Sequence, residues 1–417
     1  MITTSPQKPA LRKAEAMTLI AAFLGWLLDG VELGLFPVVA RPALQNLLGS
    51  GSEGEVGIWM GKITAAFLVG AALGGIIFGW LGDRIGRVKA MSWSVLCYSL
   101  FSAAGYFADA PWHLAVVRFV AALGMGGEWA LGVALVMESW PDKMRPWLAA
   151  SIGAASNMGM LLIGYVALLF PVTPESWRWM FLVGATPAVL TLFIRFFVPE
   201  SEKWAATTKE SAPQRSKVLT VFTPPLLSKT LLGILLSSVA LIGSWGSVQW
   251  IPSWADKLTG GAVPNAKASA HMVSCFGAII GAFIGPVLLA NLSRRLGYGI
   301  LCALSLASSI WLFRMPAEWG QFFLLKVGCI AFATASFYGF FPLYFPELFP
   351  TRVRATGQGI CYNAGRIIAA GGALASGQLV AHFGGYAQMG AVITLVYVLG
   401  ILLCFAAPET RGKPLPE

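Results

Sequence analysis

The chain has 417 residues, of which 57% are hydrophobic and only 12% charged, against roughly 25% charged in an ordinary soluble domain. With a mean hydropathy of +0.71, this composition excludes a soluble globular protein and implies one that crosses a membrane several times. The formal net charge of +10 suggests a nucleic-acid surface only until its positions along the chain are considered.

Residues 1–16, MITTSPQKPALRKAEA, lack a short apolar core followed by a small-residue cleavage site, so they read as a cytoplasmic tail. Twelve apolar segments follow, at 17–40, 56–80, 90–108, 112–138, 147–171, 177–198, 230–255, 266–292, 298–315, 320–346, 353–381 and 385–407. Each is about 18–28 residues long, enough to cross a hydrocarbon core of about 30 Å. The fold class expected is all-α, with twelve transmembrane helices. The polar stretch 200–229 is a cytoplasmic linker between an N-terminal six-helix bundle, 1–199, and a C-terminal one, 230–417. With the N-terminus inside, the inner segments hold 19 Lys and Arg and the outer ones five. This asymmetry places both termini in the cytoplasm, in the cell's inner or plasma membrane. The positive charge then faces anionic lipid, and no nucleic acid is expected as a partner.

The first segment contains LLDGVELGLF, where Asp29 and Glu32 are the only charges between Glu15 and Arg41. Three residues apart, they share a helix face. Two carboxylates in so dry a setting oppose joint ionisation and titrate as one unit. The fourth segment carries Glu128, either a second proton site or a partner for an arginine such as Arg145. The eleventh carries Arg366, 13 residues from its inner end, or about 20 Å at 1.5 Å per residue. That is too deep to snorkel, so Arg366 either clamps a substrate carboxylate, which it can bind bidentately, or pairs internally with Asp29 or Glu32. Lys62, Arg118, Arg195 and Lys326 lie nearer segment ends, where long side chains reach the interface. The six cysteines fall inside apolar segments without metal-ligand spacing, and neither a metal nor a cofactor is expected. No nucleotide loop or nucleophile–base set suggests an enzyme.

The two halves repeat. LGDRIGR (81–87) matches LSRRLGY (292–298), ESWPDKMR (138–145) matches ELFPTRVR (347–354), and PES (199–201) matches PET (408–410), at offsets of 209–211 residues. Two pseudo-symmetric bundles related by an axis along the membrane normal follow.

These landmarks resemble the major facilitator superfamily over essentially the whole chain. GWLGDRIGRVKA (79–90) is similar to its loop 2–3 signature, with Gly82 and Val88 as departures. RFVAALGMGGEWALGVALVMESWPDKMR (118–145) is similar to its fourth-helix pattern. LDGVEL and YNAGRIIAA (362–370) resemble the aromatic-acid and sialic-acid proton symporters, with Glu32 where many have Asp. The resemblance implies alternating access by a monomer that carries a small organic anion (a monocarboxylate, aromatic acid or sugar acid) with protons. The alternative is a carrier of neutral sugars or polyols. Proton coupling would rest on Asp29, Glu32 and Glu128. Substrate would meet Arg366, Gln249, Trp250, Tyr338, Tyr362, Asn363 and Asn157 on the lining helices. In the loop signature, Asp83 can cap the inner N-terminus of the eleventh helix, Arg84 and Arg87 can pair with Glu138, and Arg145 with Asp83. The second half has Arg294 in place of the Asp and Tyr298 in place of the second Arg, while Glu347 and Arg354 remain. An asymmetric inner gate is expected.

Overall fold

The computed structural model describes residues 9–49, 53–170, 172–210, 218–260, 262–263 and 266–417. The described residues are helical and contain no strand. The spans, numbered here in chain order, are α1 (Pro9–Leu48), α2 (Glu53–Ile85), α3 (Arg87–Ala104), α4 (Pro111–Ser139), α5 (Arg145–Leu169), α6 (Trp179–Val183 and Pro187–Phe197), α7 (Leu227–Gly246 and Ile251–Thr259), α8 (Ala266–Leu289), α9 (Arg294–Phe313), α10 (Gln321–Tyr344), α11 (Arg354–Phe383) and α12 (Tyr386–Ile393 and Val396–Leu403). A short helix, Glu202–Glu210, begins the linker; residues 211–217 of the expected linker lie outside the described residues.

Nine helical spans among the described residues are long and apolar enough to cross a membrane unaided. Those of α3, α6 and α11 are not among them. α11 carries Gln358, Asn363 and Arg366 along its length, so its polarity belongs to the site below. The sequence limits fall inside longer helices at α1 and α2, because a helix that has left the apolar layer still gains one backbone bond per added residue. Conversely, α6, α7 and α12 are interrupted. At the break in α7, Ser247 Oγ donates to the Gly243 carbonyl. At that in α12, Thr394 Oγ1 donates to Gly390 at 2.7 Å. The Ser247 hydroxyl satisfies a carbonyl at the break in a water-poor setting, while the Gly390 carbonyl also keeps the Thr394 amide at 3.0 Å.

The repeat in the sequence reappears in the packing. α2 lies along α4, and α8 along α10; the two bundles meet where α2 packs on α11 and α5 on α8. Within the first bundle α1 lies hard against α5. A Cβ on Gly30 would stand 2.6 Å from the Ser156 carbonyl carbon, and one on Gly159 would stand 2.7 Å from Val31 N. Small residues at a crossing let backbones approach where no hydrophobic drive separates helix from lipid. Leu288, Phe196, Leu402 and Phe405 remain exposed and suit a surface that faces acyl chains.

Candidate functional site

Polar side chains gather at two levels: mid-bundle, and at the end of the molecule where α1 starts and the last residues of the chain lie. At mid-bundle, Asp29 on α1 and Glu128 on α4 are 0% and 1% exposed. A Cβ on Gly25 would overlap the Glu128 carboxylate, which therefore lies on α1 one turn before Asp29. Glu128, Arg366 and Glu32 all lie close enough to Asp29 to act on its carboxyl. The nearest groups to the carboxylate oxygens of Asp29 and Glu128 are each other and the buried Tyr98 hydroxyl, and no close hydrogen bond to a cation is made among the described residues.

Glu32 is placed differently from the sequence reading. It does not form the unit with Asp29. Its carboxylate is in an ion pair with Arg118 and accepts from Ser102 Oγ at 2.7 Å. The Arg118 guanidinium is also packed against the rings of Phe67, at 4.5 Å, and Phe36, at 5.4 Å. A shared face brings two side chains near one another, but a buried arginine from a neighbouring helix claims one of them. Nor does Glu128 pair with Arg145; its neighbour is the second acid.

Arg366 is 4% exposed. Its Nη1 donates to Asn363 Oδ1 at 2.8 Å, and its guanidinium lies 5.1 Å from the centre of the Tyr362 ring. No carboxylate lies within ion-pair distance of it among the described residues. Tyr362 stacks on Trp129 at 4.0 Å and 16° and meets Trp26 and Tyr338 edge-on, at 6.4 and 6.5 Å. Tyr338 shares a hydrogen bond of 2.9 Å with Ser244. So Arg366 and Tyr362 stand near the carboxylate pair, and Tyr338 lies on the far side, against Tyr362. Asn363 is committed elsewhere: its Nδ2 donates to the Gly359 carbonyl at 2.9 Å and to the Gly126 carbonyl at 3.4 Å, and its Oδ1 accepts from Arg366, so it orients the arginine. The remaining candidates are not joined to this cluster. Gln249 is exposed at the break in α7, Trp250 is half-buried beside it, and Asn157 is half-buried on α5.

At the second of these levels, Asp83 closes the last turn of α2 and reaches across to α11. Its Oδ1 accepts from the Ala355 amide at 3.2 Å, and its Oδ2 from the Thr356 amide at 2.7 Å and hydroxyl at 2.5 Å. These are first-turn groups that a helix cannot bond internally. Arg87 joins Asp83 at 2.6 Å to Glu138 at 3.0 Å and to the Thr351 carbonyl at 2.7 Å. Two carboxylates, those of Glu138 and Asp83, thus face this one buried guanidinium. Glu138 also accepts from Arg354 of the other bundle at 2.8 Å and from Ser201 at 2.5 Å. Two expected pairs are corrected. Arg84 is exposed and sits over the Trp80 ring at 5.0 Å instead of meeting Glu138. Arg145 pairs with Asp142 at 2.5 Å, three residues away, instead of with Asp83; the Asp83 oxygens are already filled.

The second bundle repeats this frame with one change. Arg294 binds Glu347 through two bonds of 2.9 Å, and Thr410 donates to the same carboxylate at 2.6 Å. With an arginine where the first bundle has Asp83, Glu347 makes its hydrogen bonds inside its own half, and among the described residues it makes none to the first bundle. Ser201 and Thr410 escaped sequence reasoning, although the signal was present: each follows its glutamate by 63 residues. Glu200 and Glu409 are equivalent too. Glu200 accepts the Arg87 amide at 2.8 Å at the start of α3, and Glu409 the Arg294 amide at 3.1 Å at the start of α9.

Comparison with known proteins agrees with this architecture. The profile of the Major Facilitator Superfamily matches residues 17–360. A probable 4-methylmuconolactone transporter of Cupriavidus pinatubonensis is 30% identical, over 95% of this chain and 91% of its own. The sialic acid transporter NanX of Escherichia coli is 26% identical, over 97% and 96%. Among solved structures, the proton:xylose symporter XylE superposes with a TM-score of 0.78 at 20% identity, covering 97% of this chain and 98% of that one; at that identity the likeness is one of fold.

Proposed function

Since the chain belongs to the major facilitator superfamily and is a multi-pass membrane transporter, we propose that it carries a small organic anion together with protons by alternating access. The observation that carries this reading is Arg366: a buried guanidinium at mid-bundle that, among the described residues, has no carboxylate within ion-pair distance and faces two acids with no cation within ion-pair distance. Leaving such a charge unmatched is costly, and a substrate carboxylate supplies the match. The cargo named for two relatives, a muconolactone and a sialic acid, belongs to the same class of organic acids.

In this reading Arg366 fixes the carboxylate, Asn363 and Tyr362 hold the guanidinium in place, and the Asp29–Glu128 pair takes up and releases the coupled proton. Two adjacent buried carboxylates oppose joint ionisation, so an arriving anion that engages Arg366 alters the field at the pair. Glu32, tied to Arg118, is a structural acid. The bodies that rock are residues 1–199 and 230–417, the network around Asp83 and Glu138 is the lock on the cytoplasmic side, and a monomer suffices. Arg366→Ala should lower carboxylate binding by about 100-fold, the order lost when one partner of a buried charge pair is removed. Isothermal titration of the purified protein measures it. Full retention of carboxylate affinity would refute the clamp.

A further inference from the structure

Three buried side chains at mid-bundle have hydrogen-bonding capacity that neither the clamp nor the carboxylate pair uses. Trp26 Nε1, Trp129 Nε1 and both amide atoms of Gln358 have no partner among the described residues. Trp26 is 4%, Trp129 2% and Gln358 0% exposed. Buried polar atoms are nearly always satisfied in folded proteins, and leaving one unmet is expensive. Three residues with this property in one neighbourhood mark a place where something else makes the bonds.

Their chemistry narrows what that is. An indole N–H donates and cannot accept, so both tryptophans need an acceptor. Their rings lie 6.4 Å apart, and both border Tyr362. On α11, Tyr362 is four residues from Arg366, and Gln358 four further on. At 1.5 Å per residue the two levels lie about 6 and 12 Å along the helix from the arginine. Asp29 is three residues from Trp26 and Glu128 adjoins Trp129, which makes a second anion unfavourable there. The acceptor is therefore an uncharged oxygen.

We propose that Trp26, Trp129 and Gln358 form a second subsite that holds a neutral oxygen acceptor of the transported anion, about one helical turn or more from the carboxylate on Arg366. The substrate class is thereby an oxygen-bearing carboxylate (a keto, ether, hydroxy or lactone acid) in preference to a plain hydrocarbon acid. This rests on the carboxylate reading of Arg366.

The test compares near-isosteric probes that differ only in the acceptor: 4-methoxybenzoate against 4-ethylbenzoate, and 6-oxoheptanoate against 6-methylheptanoate. Binding to the purified full-length protein is measured by isothermal titration. The wild type should favour the oxygen-bearing member of at least one pair by about tenfold, the discrimination expected of one or two buried donors. In Trp26→Phe and Trp129→Phe, which keep an aromatic ring and lose the N–H, the ratio should fall, and in the double variant it should approach one. Gln358→Met is a third reading should a ring substitution impair folding. A wild-type ratio near one, binding of neither pair, or a ratio that survives all these substitutions would overturn the proposal; the last is the result if the donors serve only water. Arg366→Ala separates the two ideas. If it leaves all four probes bound while the ratio still collapses in the tryptophan variants, the clamp fails and the subsite stands. If it weakens all four and the ratio is unmoved by the tryptophan variants, the subsite fails alone.

Discussion

Asp83→Asn should loosen the closed end of the molecule by an amount that the structure sets. Asp83 accepts across the bundle boundary from the Ala355 amide at 3.2 Å and from the Thr356 amide and hydroxyl at 2.7 and 2.5 Å. Asparagine keeps one acceptor oxygen and turns an NH2 toward the remaining donors. The Thr356 hydroxyl can rotate to accept from it, but a backbone amide cannot. One unmet buried donor costs about 1–3 kcal/mol, and removing a charge from a helix N-terminus adds about 0.3–1 kcal/mol. Taking about 2 kcal/mol, the equilibrium between closed and open forms of that end moves about 30-fold. If the open form is about 1% of the wild type, it becomes about a quarter of the variant. Spin labels at Lys89→Cys and Arg352→Cys, both exposed and on opposite bundles, read the change as a new long-distance population, with the half-buried Cys97 and Cys329 replaced by serine. Glu347→Gln is the control, because its ion pair with Arg294 stays inside one bundle. An unchanged distance distribution in Asp83→Asn, or an equal shift in Glu347→Gln, would refute the account of the lock.

Further outcomes follow from the same geometry. Glu32→Gln strands the buried Arg118 guanidinium and should cost about 3–5 kcal/mol of stability, whereas Glu32→Leu combined with Arg118→Met should recover most of it; thermal unfolding of the purified protein decides. Gly30→Ala drives a methyl into the Ser156 backbone and should lower the melting temperature, at a cost of about 1–3 kcal/mol. Gly164→Ala, where a Cβ meets nothing within 4 Å, should be neutral or slightly stabilising by helix propensity. Arg366→Lys keeps the charge and loses the bidentate fork, so it should weaken carboxylate binding by about tenfold or more, as read by titration.

Much of the frame was legible because it is written in one-dimensional terms. Apolar length gives the spans, and three motifs at offsets of 209–211 residues give two bundles. Asp83 could be placed at the start of α11 because a carboxylate at a helix N-terminus follows from backbone geometry. The pairings inside the bundle were not legible in the same way. Asp29 and Glu32 share a face by spacing, yet Arg118 of α4 takes Glu32, and Gly25 leaves the room through which Glu128 reaches Asp29. Which acid meets which depends on the rotation of α4 against α1, and a single helix does not encode that. Arg145 meets Asp142, three residues away in the turn before α5, and so has no need of the more distant Asp83. The unmet indole N–H groups of Trp26 and Trp129 show themselves only once the neighbours are in place.

The most direct test of the account is proton movement during substrate entry. Purified protein is reconstituted in liposomes that enclose a pH-sensitive dye, and a carboxylate it binds is added outside with no imposed gradient. The account predicts that wild-type liposomes acidify inside as the carboxylate enters, and that Asp29→Asn abolishes the acidification while carboxylate exchange across the membrane continues. Carboxylate entry without acidification in the wild type, or acidification that persists in Asp29→Asn, would contradict it.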